Sequence, residues 1–182
     1  KKLGYPCFVK PANAGSSVGI TKAHNKEELM EGLKVAAVHD SKIVVEEGIV
    51  GREIECAVLG NRGHVEASCV GEIFSAGEFY DYDAKYNNAE SKTVVPAEIS
   101  PEKQDEIRKM AVKVFNAVDG SGLARVDFFV ENETENVIFN ELNTLPGFTP
   151  ISMYSMLWAA CGKSTAELLD NLIELAIERF SL

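Results

Sequence analysis

The chain has 182 residues with 46% hydrophobic and 25% charged side chains, which excludes a disordered or collagen-like chain and allows one domain, or two small lobes sharing a cleft. Its 18 Lys and Arg stand against 28 Asp and Glu, a net charge of −10. That balance argues against nucleic acid or an anionic membrane as the main partner, so a phosphate ligand would need local Lys and Arg, or a metal.

No apolar run reaches the ~18 residues that span a bilayer, and no charged-then-apolar leader opens the chain, so a soluble, cytoplasmic protein is expected. "YPCFVKP" reads as a short buried strand ended by Pro11. The Gly/Ser loop "ANAGSSVGITK" follows, then a helix over "KEELMEGLKVAAVH", with Leu29, Leu33, Ala36 and Ala37 at helical spacing and Asn25 as N-cap. "KIVVEEGI" is a second strand. "REIECAVLG", "HVEASCVGEI" and "TVVPAEI" form a strand series of antiparallel type, interrupted by the polar and aromatic loop "FSAGEFYDYDAKYNNAESK". The next helix, "SPEKQDEIRKMAVKVFNAVDG", has Ser100 at the N-cap and Pro101 at its first position. Two strands then flank the polar run "ENETEN", and two further helices cover residues 151 to 161 and 164 to 180. This order predicts an α+β protein with antiparallel sheet. Cys7, Cys56, Cys69 and Cys161 lack metal-ligand spacing and are expected as reduced core thiols. The three histidines lie far apart and suggest no cluster. The chain opens on a strand and is read as a fragment of something longer.

The hairpin "GLARVDFFVENETENVIFNELNTLPG" places charge where apolar strands would bury carbon. Alternation puts Arg125, Asp127 and Phe129 on one face of the first strand and Glu141 with Asn143 on one face of the second. A turn symmetric about Thr134 opposes Asp127 to Glu141 and Arg125 to Asn143, while a bulge would slip this register and send a pair to the wrong face. Two carboxylates roughly 5 Å apart between Cβ atoms repel unless a cation or proton intervenes. Two readings are open at this level: a salt-bridge patch of Arg125 with Asp127 and Glu141, or an all-oxygen site for a hard ion such as Mg²⁺.

Elsewhere, "KPANAGSSVG" sets Lys10 at a strand end before small residues able to bring backbone N–H groups to an anion, although the P-loop pattern is absent. A flexible surface turn is the plain alternative. In "VVEEGIVGREIE", Glu46 to Ile49 suit a nucleotide base and Glu53 a ribose diol, but each acid alone reads equally as a solvated residue.

In sequence order, KP with a GSSVG loop, EEGIxGxE, FYDYDAKY, RVDFF and NELNTLPGFT resemble the ATP-grasp superfamily and, within it, the D-alanine:D-alanine ligase family, from about Gly4 to the C-terminus. The resemblance implies an α+β ATP-grasp fold, two α+β lobes with antiparallel sheets and the nucleotide cleft between them, residues 1–50 forming part of the central lobe and 51–182 the C-terminal lobe. It implies ATP contacts from Lys10, Gly15, Ser16, Ser17, Glu46, Glu47, Ile49, Glu53 and Lys85. Asp127, Glu141 and Asn143 are then ligands of two Mg²⁺ ions, with Mn²⁺ as an alternative. Arg125 and the N–H of Gly147 stabilise the tetrahedral intermediate, Tyr86 in the loop hydrogen-bonds toward Ser16, and Ser152 receives the acceptor carboxylate. The implied reaction joins two D-alanines through an acyl phosphate, for peptidoglycan precursors that build the cell wall and set cell shape, in a full-length homodimer. These ligases carry an N-terminal domain and the start of the central lobe that these residues do not match, so the chain alone is expected to hold most of the ATP and metal site and to ligate poorly. A D-serine acceptor, another ATP-grasp carboxylate–amine ligase and a non-catalytic ATP-binding module are the alternatives.

Overall fold

The computed structural model describes residues 3–15, 17–74, 92–149 and 151–181. Ser16, Lys85 and Tyr86 lie outside these. Among the described residues no helix is long and apolar enough to cross a membrane. The chain divides into two compact units, one comprising the described residues up to Val50 together with Lys92, which begins a strand otherwise in the second, and the other Gly51–Phe74 with the residues from Thr93 onward.

The first unit holds strands β1 (Cys7–Pro11) and β2 (Thr21–Ala23), helix α1 (Lys26–His39) and strand β3 (Ile43–Glu47). The strands form an antiparallel sheet in the order β2-β1-β3. Asn25 caps α1 by accepting from Glu28 N, which satisfies one of the amides every helix start leaves open. Val9, Ala23 and Ala36 are completely buried where the helix meets the sheet. Strand β2 was not legible in the sequence. Thr21 and Lys22 lie at the end of the Gly/Ser loop and Ala23 just after it, and only pairing with β1 makes the three a strand.

The second unit contains β4 (Gly51–Asn61), β5 (His64–Phe74), β6 (Lys92–Val94), α2 (Pro101–Ala117), β7 (Gly122–Glu131), β8 (Val137–Asn143), α3 (Met153–Ala160) and α4 (Thr165–Phe180). The sheet order is β6-β5-β4-β7-β8, with β4 antiparallel to both β5 and β7. Strand β6 ends before Val95 and Pro96, shorter than expected, because a proline nitrogen has no hydrogen to give a ladder. Helix α3 starts at Met153, two residues later than expected, with extended Ser152 as N-cap.

The pleat sorts the two faces of this sheet. Ile54, Cys56, Val58, Val126 and Phe128 pack against Ile107, Ala111 and Phe115 of α2, which recur every four residues. On the other face Ala57 and Leu59 meet Tyr154, Leu157 and Trp158 of α3 and Leu168 of α4. At about 1.5–3 kcal/mol per fully buried large side chain, this two-sided packing holds the strands rigidly. The next residues along the second face are Glu55 in β4 and Arg125 and Asp127 in β7, so the charged cluster sits on a sheet already fixed by apolar contacts.

Gly60 is required by its place in β4. It has φ 144°, and a Cβ there would lie 2.1 Å from the His64 carbonyl oxygen. Gly63, also at positive φ (96°), has open space around it. Gly60→Ala is therefore expected to cost at least about 2 kcal/mol of unfolding free energy in urea, because strain and a backbone clash add. Gly63→Ala should cost only about 1–2 kcal/mol; equal losses would show that the clash is relieved.

Candidate functional site

The site is built on the β7–β8 hairpin, and a bulge sets its register. Near the turn, Val130 opposes Val137 and Phe128 opposes Phe139. Continued unchanged, that register would set Asp127 against Asn140 and Arg125 against Leu142. Instead the register shifts between Asp127 and Phe128, so that Asp127 opposes Glu141 and Arg125 opposes Asn143. One extra residue in β8 thus restores the pairing expected from a symmetric turn. The bulge does not scatter the polar residues; it collects them on one face.

Strand β4 adds a residue that local patterning did not reveal. Glu55 opposes Asp127 across the β4–β7 ladder, giving three carboxylates, Glu55, Asp127 and Glu141, in one row over three strands. Arg125 lies among them. Its Nε donates to Asp127 Oδ1 at 2.8 Å and a terminal nitrogen donates to Oδ2 at 2.7 Å. Glu55 Oε2 lies 3.0 Å from the same Nε. Asn143 Nδ2 donates to Asp127 Oδ2 at 2.9 Å and to Glu141 Oε1 at 3.3 Å. Glu55 and Asp127 are buried, at 5% and 8% exposure. Burial alone would depress the Arg125 pKa, but the hydrogen bonds to Asp127 and the charges of Asp127, Glu55 and Glu141 outweigh it and hold the guanidinium above its ordinary value. Three carboxylates against one guanidinium still leave the cluster short of positive charge.

Among the described residues, no group of three or more His, Cys, Asp or Glu side chains is arranged to hold a metal ion. Asp127 turns both oxygens to Arg125, and Asn143 presents its amide nitrogen rather than its oxygen. The donor chemistry nevertheless fits Mg²⁺, which takes one or two carboxylates and completes its shell with water and phosphate oxygens rather than using an all-protein cage.

In the first unit the structure joins two residues singled out separately. Lys10 Nζ is 2.7 Å from Glu46 Oε2, because Lys10 and Glu46 project from the same face of β1 and β3, where Phe8 opposes Glu46 and Lys10 opposes Val44. Glu47 ends β3 and is exposed, and Ile49 follows it half-buried. Gly15 is exposed and its carbonyl accepts from Val18 N at 3.2 Å, while Ser17 has φ 59°, so the loop makes a tight turn there.

In the second unit Glu53 opposes Phe129 of β7, two residues before Glu55 and on the same face. Gly147 and Ser152 come together after β8: a Cβ at Gly147 would lie 2.8 Å from Ser152 Oγ. That hydroxyl does not cap α3; it accepts from Thr149 N at 3.0 Å and pairs with Thr149 Oγ1 at 2.8 Å. Ser152 therefore shapes the loop in front of the helix.

A family model described as D-ala D-ala ligase C-terminus matches residues 1–174. The D-alanine–D-alanine ligase B of Clostridium tetani is 58% identical over 177 residues, covering 97% of this chain and 49% of that protein. A D-alanine–D-alanine ligase of Acetivibrio thermocellus is 58% identical over 181 residues, covering 100% of this chain and 48% of the relative. Among solved structures, the D-alanine-D-alanine ligase from Coxiella burnetii superimposes with TM-score 0.84 at 40% identity over 96% of this chain and 46% of that one. The VanG D-Ala:D-Ser ligase from Enterococcus faecalis gives 0.85 at 42% identity over 95% and 50%. The chain spans about half the length of the curated relatives it matches.

Proposed function

Because the chain belongs to the family described as D-ala D-ala ligase C-terminus, and has its ATP-grasp fold, we propose that it forms the nucleotide- and metal-binding part of an ATP-dependent ligase that joins two D-alanines in peptidoglycan precursor synthesis. The observation that carries this reading is the shared face of Arg125, Asp127, Glu141 and Asn143. The amino-acid substrate is D-alanine. The similarity to a D-Ala:D-Ser ligase favours D-serine as the second reading for the acceptor.

A carboxylate resists attack by an amine because its charge repels the nucleophile and its oxygen leaves poorly. In the proposed reaction the γ-phosphoryl group passes from ATP to the first D-alanine, giving ADP and an acyl phosphate. The amine of the second amino acid then attacks the acyl carbon and phosphate departs. Arg125, held rigid by Asp127 and Glu55, faces the negative charge that develops on the transferring group and on the tetrahedral oxyanion, with the Gly147 N–H as second donor. Asp127, Glu141 and the carbonyl oxygen of Asn143 would hold Mg²⁺. When bound, Mg²⁺ supplies neutralisation of the phosphate oxygens. In the first unit Lys10, Gly15 and Ser17 are assigned to phosphate, and Glu46, Glu47 and Ile49 to the base; Glu53 is assigned to the ribose. Ser152 is assigned to the acceptor carboxylate, and Ser16, Lys85 and Tyr86 keep the roles the resemblance implies. Binding phosphate requires Lys10, whose side chain is only 17% exposed, to exchange the Glu46 carboxylate for the ligand, one anionic partner for another.

Calorimetric titration of the chain with ADP tests this directly. Affinity at least about tenfold higher with Mg²⁺ than with EDTA is expected, a difference of about 1.4 kcal/mol. Binding indifferent to Mg²⁺, or no binding, would overturn the metal assignment or the nucleotide assignment respectively.

A further inference from the structure

Away from this cluster, strand β5 carries a second bulge. Cys56 opposes Val70 but Val58 opposes Ala67, so Ser68 and Cys69 together face Ala57. A bulge leaves amides without ladder partners, and here both find side chains. Ala57 N donates to Ser68 Oγ at 3.0 Å, and Cys69 N donates to the sulfur of Cys161 at 3.0 Å. The Cys69 thiol donates to the Leu157 carbonyl at 3.4 Å and lies within hydrogen-bonding reach of the Cys161 sulfur. Cys161 is the exposed C-cap residue of α3. Both cysteines line an open groove with Pro101, Gln104, Asp105 and Arg108 of α2. All four cysteines are free thiols, as expected, but only Cys7 and Cys56 are buried, whereas Cys69 is half-buried and Cys161 exposed.

We propose that Cys69 and Cys161 are a modification site, a thiol pair that closes to a reversible disulfide when exposed to a low-molecular-weight disulfide. With the Cys161 sulfur 3.0 Å from the Cys69 amide, covalent reach limits the two Cα atoms to about 7 Å apart, close to the separations that disulfides span. The Cys161 thiolate attacks the small disulfide, forming a mixed disulfide and releasing one small thiolate. The Cys69 thiolate then attacks the Cys161 sulfur and releases the second. Two protein thiols are oxidised, one small disulfide is reduced to two thiols, and the protons lost by the cysteines end on the departing thiolates. In the adduct Cys161 carries no thiolate charge, and burial alone still raises the Cys69 thiol, against the opposing charge of Arg108. Closing is therefore the slow step, and the bond pins the end of α3 to the sheet.

Incubation of the chain with glutathione disulfide, followed by intact-mass and peptide analysis, tests the proposal. Expected are one glutathione adduct on Cys161 and its conversion to a peptide linking Cys69 to Cys161. The rate of conversion should rise with pH between 7 and 9, as the Cys69 thiolate fraction grows. Cys69→Ser should stop at the adduct. No Cys69–Cys161 peptide at any pH, a peptide joining another pair, or a conversion rate flat in pH would overturn it.

Discussion

Asp127→Asn, placed in a ligase of full length carrying this chain, is expected to lower turnover at least about 100-fold while changing the unfolding free energy of the metal-free protein by less than about 1 kcal/mol. The reason is the charge count at the hairpin. Glu55, Asp127 and Glu141 surround one guanidinium, so neutralising one carboxylate relieves repulsion. Arg125 keeps Glu55 at 3.0 Å, and the amide oxygen of the new Asn can still accept one of its hydrogen bonds. A cluster that existed only as a salt-bridge patch would show the same stability change but leave turnover and the Mg²⁺ dependence of nucleotide affinity untouched. ADP titrations with and without Mg²⁺ separate the two, and urea unfolding in EDTA checks the stability. A variant that binds Mg-ADP normally would remove Asp127 from the metal site.

Arg125→Met should do the reverse to stability. The guanidinium is mostly buried, at 21% side-chain exposure, and its removal leaves Glu55 and Asp127 as buried charges without it. A loss of about 3–5 kcal/mol is expected, with turnover lower by about 10²–10³ as a donor to the developing oxyanion disappears. Adding Glu55→Gln should restore much of the stability and none of the turnover, because the amide removes one of the charges that Arg125 had balanced without supplying a cation. Coupling of this kind is read from a double-mutant cycle. Additive stability losses would show that Glu55 and Arg125 do not act as a pair.

Glu55 also marks where local patterning stops. Alternation from Glu53 predicts that residues 53, 55 and 57 share a face of β4, but which strand that face borders is a question of nonlocal pairing. Only the β4–β7 ladder, joining residues about 70 positions apart in the chain, sets Glu55 opposite Asp127. The Lys10–Glu46 pair is of the same type, since each residue was legible as a candidate on its own strand and their contact follows from β1 pairing with β3. Apolar sequence neighbours make the thiol pair look like core, whereas Cys161 is placed at an exposed helix end by the packing of α3.

By itself the sequence determined the α+β class, the helix starts at Asn25 and Ser100, the polar face of the hairpin and the motif order that marks the family. Each rests on contacts within a few residues or on side-chain periodicity, which propensity and capping control. The tertiary structure alone decided the bulge in β8 that restores Asp127 to Glu141, the third carboxylate, the strand β2 and the sulfur seated on the β5 bulge. A one-residue bulge and the choice of strand neighbours depend on how distant apolar faces pack together, and no local preference encodes that balance.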